Sequence, residues 1–294
     1  TGKRDDGQSV SLRRVFVAEA WKPEWFASCL ADLQAVKSTR LTDNFLIIGA
    51  NPGNVDWFDD AGWAQVVEHW RIAARLAKAG GLKGLLFDPE PYTAPFAQFR
   101  YSAQADCGRH TFAEYYAQAR RRGREVMQAV AAEFPDGLLY CYFMNSVNFP
   151  AAGQADARQA LAGSAYGLYP PFIDGWLDVL PPTFTLIDGC ESAYLWNSTV
   201  QFLQGAVLMK GDCQSLVSPE NRAKYRAQVQ VSFGIYLDAY RNPEGNRYFI
   251  DGLGGPRVDR LRQNCADALK CADQYVWIYG EQCRWWPTPD TRLT

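Results

Sequence analysis

Gly84-Leu85-Leu86-Phe87-Asp88-Pro89-Glu90-Pro91-Tyr92 is a short apolar run that ends in two carboxylates. Successive apolar positions are what a strand covered on both faces requires, as in a parallel sheet. Prolines at 89 and 91 favour an extended backbone beyond the run and stiffen it. A period of two then sets Asp88 and Glu90 on the same side of the chain. Carboxyls held that close repel when both are ionised, so one pKa should rise, giving an acid beside a charged stabiliser.

Runs of the same kind recur at Val15–Glu19, Phe45–Gly49, Leu138–Phe143, Phe184–Asp188, Val229–Asp238 and Tyr275–Glu281, separated by segments of helical period. That alternation predicts an α/β fold built from βα units. The expected architecture is a (β/α)8 TIM-type barrel, one catalytic domain over residues 1–294, with its first strand missing or irregular. The absent strand is expected within or before Thr1–Ser11. Thr111 with Glu114 forms a capping box, and Ser218-Pro219-Glu220 opens another helix. A doubly wound sheet would carry a Gly-rich turn after its first strand. Gly252-Leu253-Gly254-Gly255 follows no such strand and is expected to be a turn. The Gly/Ala/Pro-rich stretch Pro150–Pro171 is expected to be a long loop on one face of the barrel, where loops build sites.

The chain has 294 residues, 48% of them hydrophobic and 21% charged, enough apolar material for a substantial core. A formal charge of −2 gives no footprint for nucleic acid. The basic run Arg120-Arg121-Arg122 with Arg124 falls in a helical pattern and is expected to be a solvated face. No apolar stretch approaches the roughly 18 residues of a membrane span. Eight cysteines permit disulfides, with buried apolar thiols as the alternative. None has C-x-x-C spacing and the histidines are His69 and His110 alone, so neither a metal site nor a cofactor is expected. The sequence opens at Thr1 without methionine, from which we expect a processed start and a secreted or periplasmic protein.

Acids also follow the later apolar runs: Asp188 and Glu191, Asp238, and Glu281. In a barrel these are the positions that carry chemistry. Any one of them can instead be a loop charge or an ion-pair partner. The same segments hold flat amphipathic rings: Trp57, Phe58, Tyr92, Tyr194, Trp196, Tyr240, Trp285 and Trp286. Aromatic platforms flanked by acceptors suit sugars, whose rings present apolar faces and hydroxyl rims; such rings are also ordinary core filler. Glu90, Asp88 and Glu191 are thus the expected catalytic residues. Trp57, Tyr92, Asp188, Trp196, Asp238, Glu281 and Trp285 are expected to bind substrate. His69 and His110 lie outside the strand ends and no G-x-S-x-G elbow is present, which leaves a serine hydrolase without its base. Cys190, beside Asp188, likewise lacks a partner for nucleophilic chemistry.

Gly84–Tyr92 resembles the strand-four motif of chitinase-type glycoside hydrolases, D-G-x-D-x-D-x-E, of which Asp88 and Glu90 match the final D-x-E. Lys83 and Leu86 stand where the earlier acids would fall. The resemblance implies Glu90 as general acid and Asp88 as the residue orienting a substrate acetamido group. An additional N-terminal strand would make this strand the fourth, in agreement. More broadly, the pattern is similar to the TIM-barrel glycoside hydrolases. The expected function is cleavage of a glycosidic bond in an oligo- or polysaccharide by two carboxyls, Glu90 paired with Asp88 or Glu191. The alternatives are a saccharide-binding barrel without catalysis and a metal-dependent barrel hydrolase.

Overall fold

The computed structural model describes residues 1–37, 40–51, 53 and 55–282. Strands β1 (Gly2–Lys3) and β2 (Ser9–Val10) form a small antiparallel hairpin. Then come β3 (Phe45–Gly49), β4 (Gly84–Asp88), β5 (Leu138–Cys141), β6 (Thr185–Asp188) and β7 (Val229–Val231), which form one parallel sheet in that order. The order follows the chain, without the reversal that a doubly wound sheet requires. β8 (Gly234–Tyr236) pairs in parallel with β9 (Trp277–Tyr279). The break between β7 and β8 is slight: Ser232 N–H still donates to Asp188 O at 2.9 Å, and Trp277 N–H donates to Phe233 O at 3.1 Å. Residues 229–236 thus bond first to β6 and then to β9.

The register aligns the strand ends. Gly49 lies opposite Asp88, Phe87 opposite Cys141, Cys141 opposite Asp188, and Asp188 opposite Val231. Parallel strands ending in step deliver whatever follows them to one edge of the sheet. The intervening helices start where side chains satisfy their free N–H groups. Asp59 caps Asp60–Ala79, and the capping box of Thr111 and Glu114 opens Phe112–Glu133. Around them Phe16, Trp57, Trp63, Trp70, Phe87 and Phe172 are fully buried. A second apolar cluster joins Phe202 and Phe233 to Tyr194, Tyr236 and Ala268.

Three expectations are corrected. Val15–Glu19 is turn and bend, not strand, and a hairpin stands where the absent parallel strand was sought. Its carbonyls are engaged by a side chain: His69 Nδ1 lies 3.0 Å from Val15 O and Nε2 lies 2.8 Å from Glu19 O. Pro150–Pro171 is largely short helical turns, and Pro150, Pro170 and Pro171 sit in the first turns of their helices, where a missing N–H costs nothing. The basic run is a solvated face only in part: Arg121 and Arg124 are exposed, but the other two arginines turn inward. Arg122 is 2% exposed and bonds Trp57 O, Asp60 and Glu125, while Arg120 binds Asp174 and Asp178. Buried guanidinium groups need such partners. The seven described cysteines are free; Cys283 lies outside the described residues. No described helix is long and apolar enough to cross a membrane.

Helices Phe112–Glu133 and Tyr169–Val179 cross at two glycines. A Cβ on Gly175 would lie 2.0 Å from Arg120 O, and one on Gly123 would lie 2.0 Å from Phe172 O. On propensity alone, Gly175→Ala should stabilise its helix by about 1 kcal/mol. The backbone clash outweighs this, and we expect a net loss of roughly 1–3 kcal/mol. Urea unfolding of the variant measures it; a gain in stability would contradict so close a crossing.

Candidate active site

At the aligned strand ends the chain encloses a hollow of about 380 Å³. β4 supplies its first wall. Asp88 ends the strand, and Glu90 and Tyr92 in the stretch beyond it line the hollow with it. Asp88 is buried and accepts Glu90 N–H at 3.1 Å, and the Tyr92 hydroxyl donates to Glu90. β9 repeats the spacing: Trp277, Tyr279 and Glu281, again two apart, line the same hollow. Tyr279 donates to the Glu281 carboxylate at 3.1 Å and Tyr236 at 3.3 Å.

Glu191 enters from the chain after β6. Cys190 adopts φ 39°, the left-handed region that costs a side-chain-bearing residue energy, and Glu191 begins the 3-10 helix Glu191–Leu195 immediately afterwards. Asp188 steadies that turn. Fully buried, its carboxylate accepts the N–H groups of Met144 and Ser146, both at 2.9 Å, the Ser146 hydroxyl at 2.5 Å and Cys190 N–H at 3.2 Å. Asp238 acts in the same way on the other side, its Oδ2 accepting Glu281 N–H at 2.7 Å and Gln282 N–H at 3.2 Å.

Among the described residues the hollow therefore gathers four carboxyls, Asp88, Glu90, Glu191 and Glu281, against one lining cation, Arg13. Burial pushes the Glu191 carboxyl up to about 8, and the charges of Glu90 and Asp88 add to the shift. Burial likewise raises Asp88 to about 6; the Glu90 N–H opposes this, the Glu90 charge adds to it, and Arg13 opposes it weakly. Tyr142 and Tyr279 rise to about 12, chiefly by burial, and so remain hydroxyl donors at neutral pH. The rings form a stacked wall. Trp277 lies 4.6 Å from Tyr142 at 15°, and Tyr236 stacks on Tyr194 at 5.2 Å and on Tyr279 at 5.6 Å. At neutral pH such a site offers a protonated carboxyl beside carboxylates, with flat apolar faces on which a ring can rest.

Of the residues expected from sequence, Asp88, Glu90, Glu191, Tyr92 and Glu281 come together here. Asp188 and Asp238 stand behind them as anchors of the backbone and do not line the hollow. Trp57 is fully buried in the core, its Nε1–H donating to Gln98 O at 3.0 Å, and has no surface left for a ligand. Trp196 packs on Phe202 and Phe233, away from the hollow. Trp285, like Trp286, lies outside the described residues. Tyr142, Tyr236, Trp277 and Tyr279 were missed. The period of two that gave Glu90 from Asp88 would have found Trp277 and Tyr279 by counting back from Glu281. Arg13 and Tyr248 lie off the strands and left no such signal. Among the described residues, no group of three or more His, Cys, Asp or Glu is arranged to hold a metal ion.

No protein-family model, no curated protein and no solved structure matches this chain.

The raised Glu191 pKa has a consequence for stability. The unfolded carboxyl ionises near 4.5, the folded one near 8, so the stability tied to its proton is full below about 4.5 and is lost as pH rises through about 8. Glu191→Gln removes that dependence. We expect its Tm to exceed the wild type's at pH 8 by roughly 2–6 °C and to match it at pH 4. Calorimetry at both pH values checks this; an equal Tm at pH 8 would argue that Glu191 ionises normally.

Proposed function

We propose that the chain is a glycoside hydrolase whose sheet curls into a (β/α) barrel. Support for the barrel lies at the sheet's two edges. Tyr275, just before β9, donates to Asp43 at 2.7 Å, just before β3, and its ring packs on Phe45 at 5.7 Å. With β8 continuing β7 toward β9, such contacts suit a closed ring of strands.

The observation that carries the functional reading is Glu191: a carboxyl raised to about 8 in the same aromatic-walled hollow as Glu90 and Asp88. Sequence favoured Glu90 as the proton donor. The electrostatics favour Glu191, which keeps its proton at neutral pH, as the acid that protonates the glycosidic oxygen. Glu90 is then the second carboxyl, acting at the anomeric carbon directly or through water, and Asp88 shares the charge that develops there. A merely binding module would tie up its acids in Arg pairs; here the guanidinium networks lie elsewhere, as at Arg120, Asp174 and Asp178.

Variants separate the roles. Glu191→Gln should lower kcat on unactivated glycosides by about 10²–10⁴, yet leave dinitrophenyl glycosides, which depart without a proton, far less affected. Glu90→Gln should impair both, and the anomer first released, read by proton NMR, tells direct attack from attack by water. The wild-type pH profile should be bell-shaped, falling above about 8 as Glu191 loses its proton and below about 6 as Asp88 gains one, although the apparent values belong to the coupled cluster. Full activity of Glu191→Gln on unactivated substrates would remove the assignment.

A further inference from the structure

A second hollow, about 280 Å³, adjoins the first, and the two share Glu90, Glu191, Tyr194 and Tyr248. Their remaining walls differ in kind. The first adds Asp88, Glu281, Arg13 and the Trp277 face; the second adds Phe143, Val147, Tyr166, Leu195 and a single small hydroxyl, Ser192. Among the described residues, no charged side chain lines the second hollow apart from the two shared glutamates. Phe143 and Tyr166 meet edge to face at 4.9 Å and form one wall. Leu195, 41% exposed, ends the 3-10 helix that Glu191 begins, so part of the apolar wall and the acid belong to one helical turn.

A bond cleaved between Glu90 and Glu191 has one side in each hollow. We propose, building on the glycosidase reading, that the substrate is a glycoside of an apolar alcohol: the sugar occupies the acid-rich hollow and an alkyl or aryl aglycone occupies the hollow of Phe143, Val147 and Leu195. Sugar hydroxyls find acceptors and donors in the first hollow, whereas Phe143, Val147, Leu195 and the tyrosine rings of the second reward the removal of apolar surface from water. Among the described residues, four carboxyls stand against one arginine, a balance that favours a neutral or cationic glycone. In the reaction the bond between the anomeric carbon and the glycosidic oxygen breaks, and Glu191 gives its proton to that oxygen, so the aglycone leaves as a neutral alcohol. Water supplies the hydroxyl that the sugar gains, and its other proton returns to the carboxyl pair.

The probes are methyl and hexyl glycosides of glucose, galactose, mannose, xylose and N-acetylglucosamine, in both anomers, titrated calorimetrically into the Glu191→Gln variant below micellar concentrations. For at least one glycone the hexyl glycoside should bind about tenfold tighter than the methyl, a preference that falls below about threefold when Leu195→Gln is added. Leu195 is already partly exposed, so this variant should fold; its circular dichroism verifies that. Equal affinity within every pair, a hexyl preference that survives Leu195→Gln, or no binding by any probe would overturn the inference. Turnover by the wild type is read separately. A Leu195-dependent hexyl preference without any hydrolysis would count against the glycosidase reading and leave the apolar subsite standing.

Discussion

Asp88, Glu90 and Glu191 share one hollow with, among the described residues, a single lining arginine, and like charges so confined cannot all stay ionised at neutral pH. Burial makes each charge costly, and each neighbour raises the cost of the next. The chain meets the constraint by keeping a proton on Glu191, the member that ionises only near 8. That is an unfavourable arrangement for folding, since the unfolded chain would release the proton far earlier. The surrounding structure must therefore hold the acids where solution chemistry would scatter them.

The holding devices are backbone hydrogen bonds to two further acids. Asp188 accepts from the turn after β5 and from Cys190, which fixes the left-handed step that turns the chain toward Glu191. Asp238 accepts from Glu281 and Gln282 and fixes the end of β9. These anchors rest on the parallel register, which brings the ends of β4, β5 and β6 level. Ladder, anchor and acid form a chain of dependence running from the apolar runs of the sequence to the proton on Glu191.

This dependence explains which features could be read from sequence. Continuous apolar runs disclosed β4, β5 and β6 and, as a single run, β7 with β8, because a strand covered on both faces has little compositional freedom; β3 and β9 were read from the same signal although β9 is largely exposed. The acids after them were visible as the charges that close those runs, and Glu90 follows from Asp88 by a period of two. What sequence could not separate was an acid facing a ligand from one facing backbone: Asp188 and Glu191 look alike on paper, three residues apart, yet one is an anchor and the other lines the hollow. Trp57 was misleading in the same way, since an amphipathic ring after a strand can turn to the cleft or to the core, and the carbonyl of Gln98 takes it inward. Val15–Glu19 had the composition of a strand, but its carbonyls meet His69, a partner 50 or more positions away. Long-range satisfaction of backbone groups leaves no local trace.

The central claim concerns one proton, so its most direct measurement is a titration of the Glu191 carboxyl. Carbon-13 NMR of protein labelled at glutamate side-chain carboxyls, with the Glu191 signal assigned by its loss in the Glu191→Gln variant, follows that group alone. The account predicts a midpoint near 8, well above the ordinary 4.5. A midpoint near 4.5 would mean that Glu191 is charged at neutral pH, and it would contradict both its role as the acid and the electrostatic constraint on which that role rests.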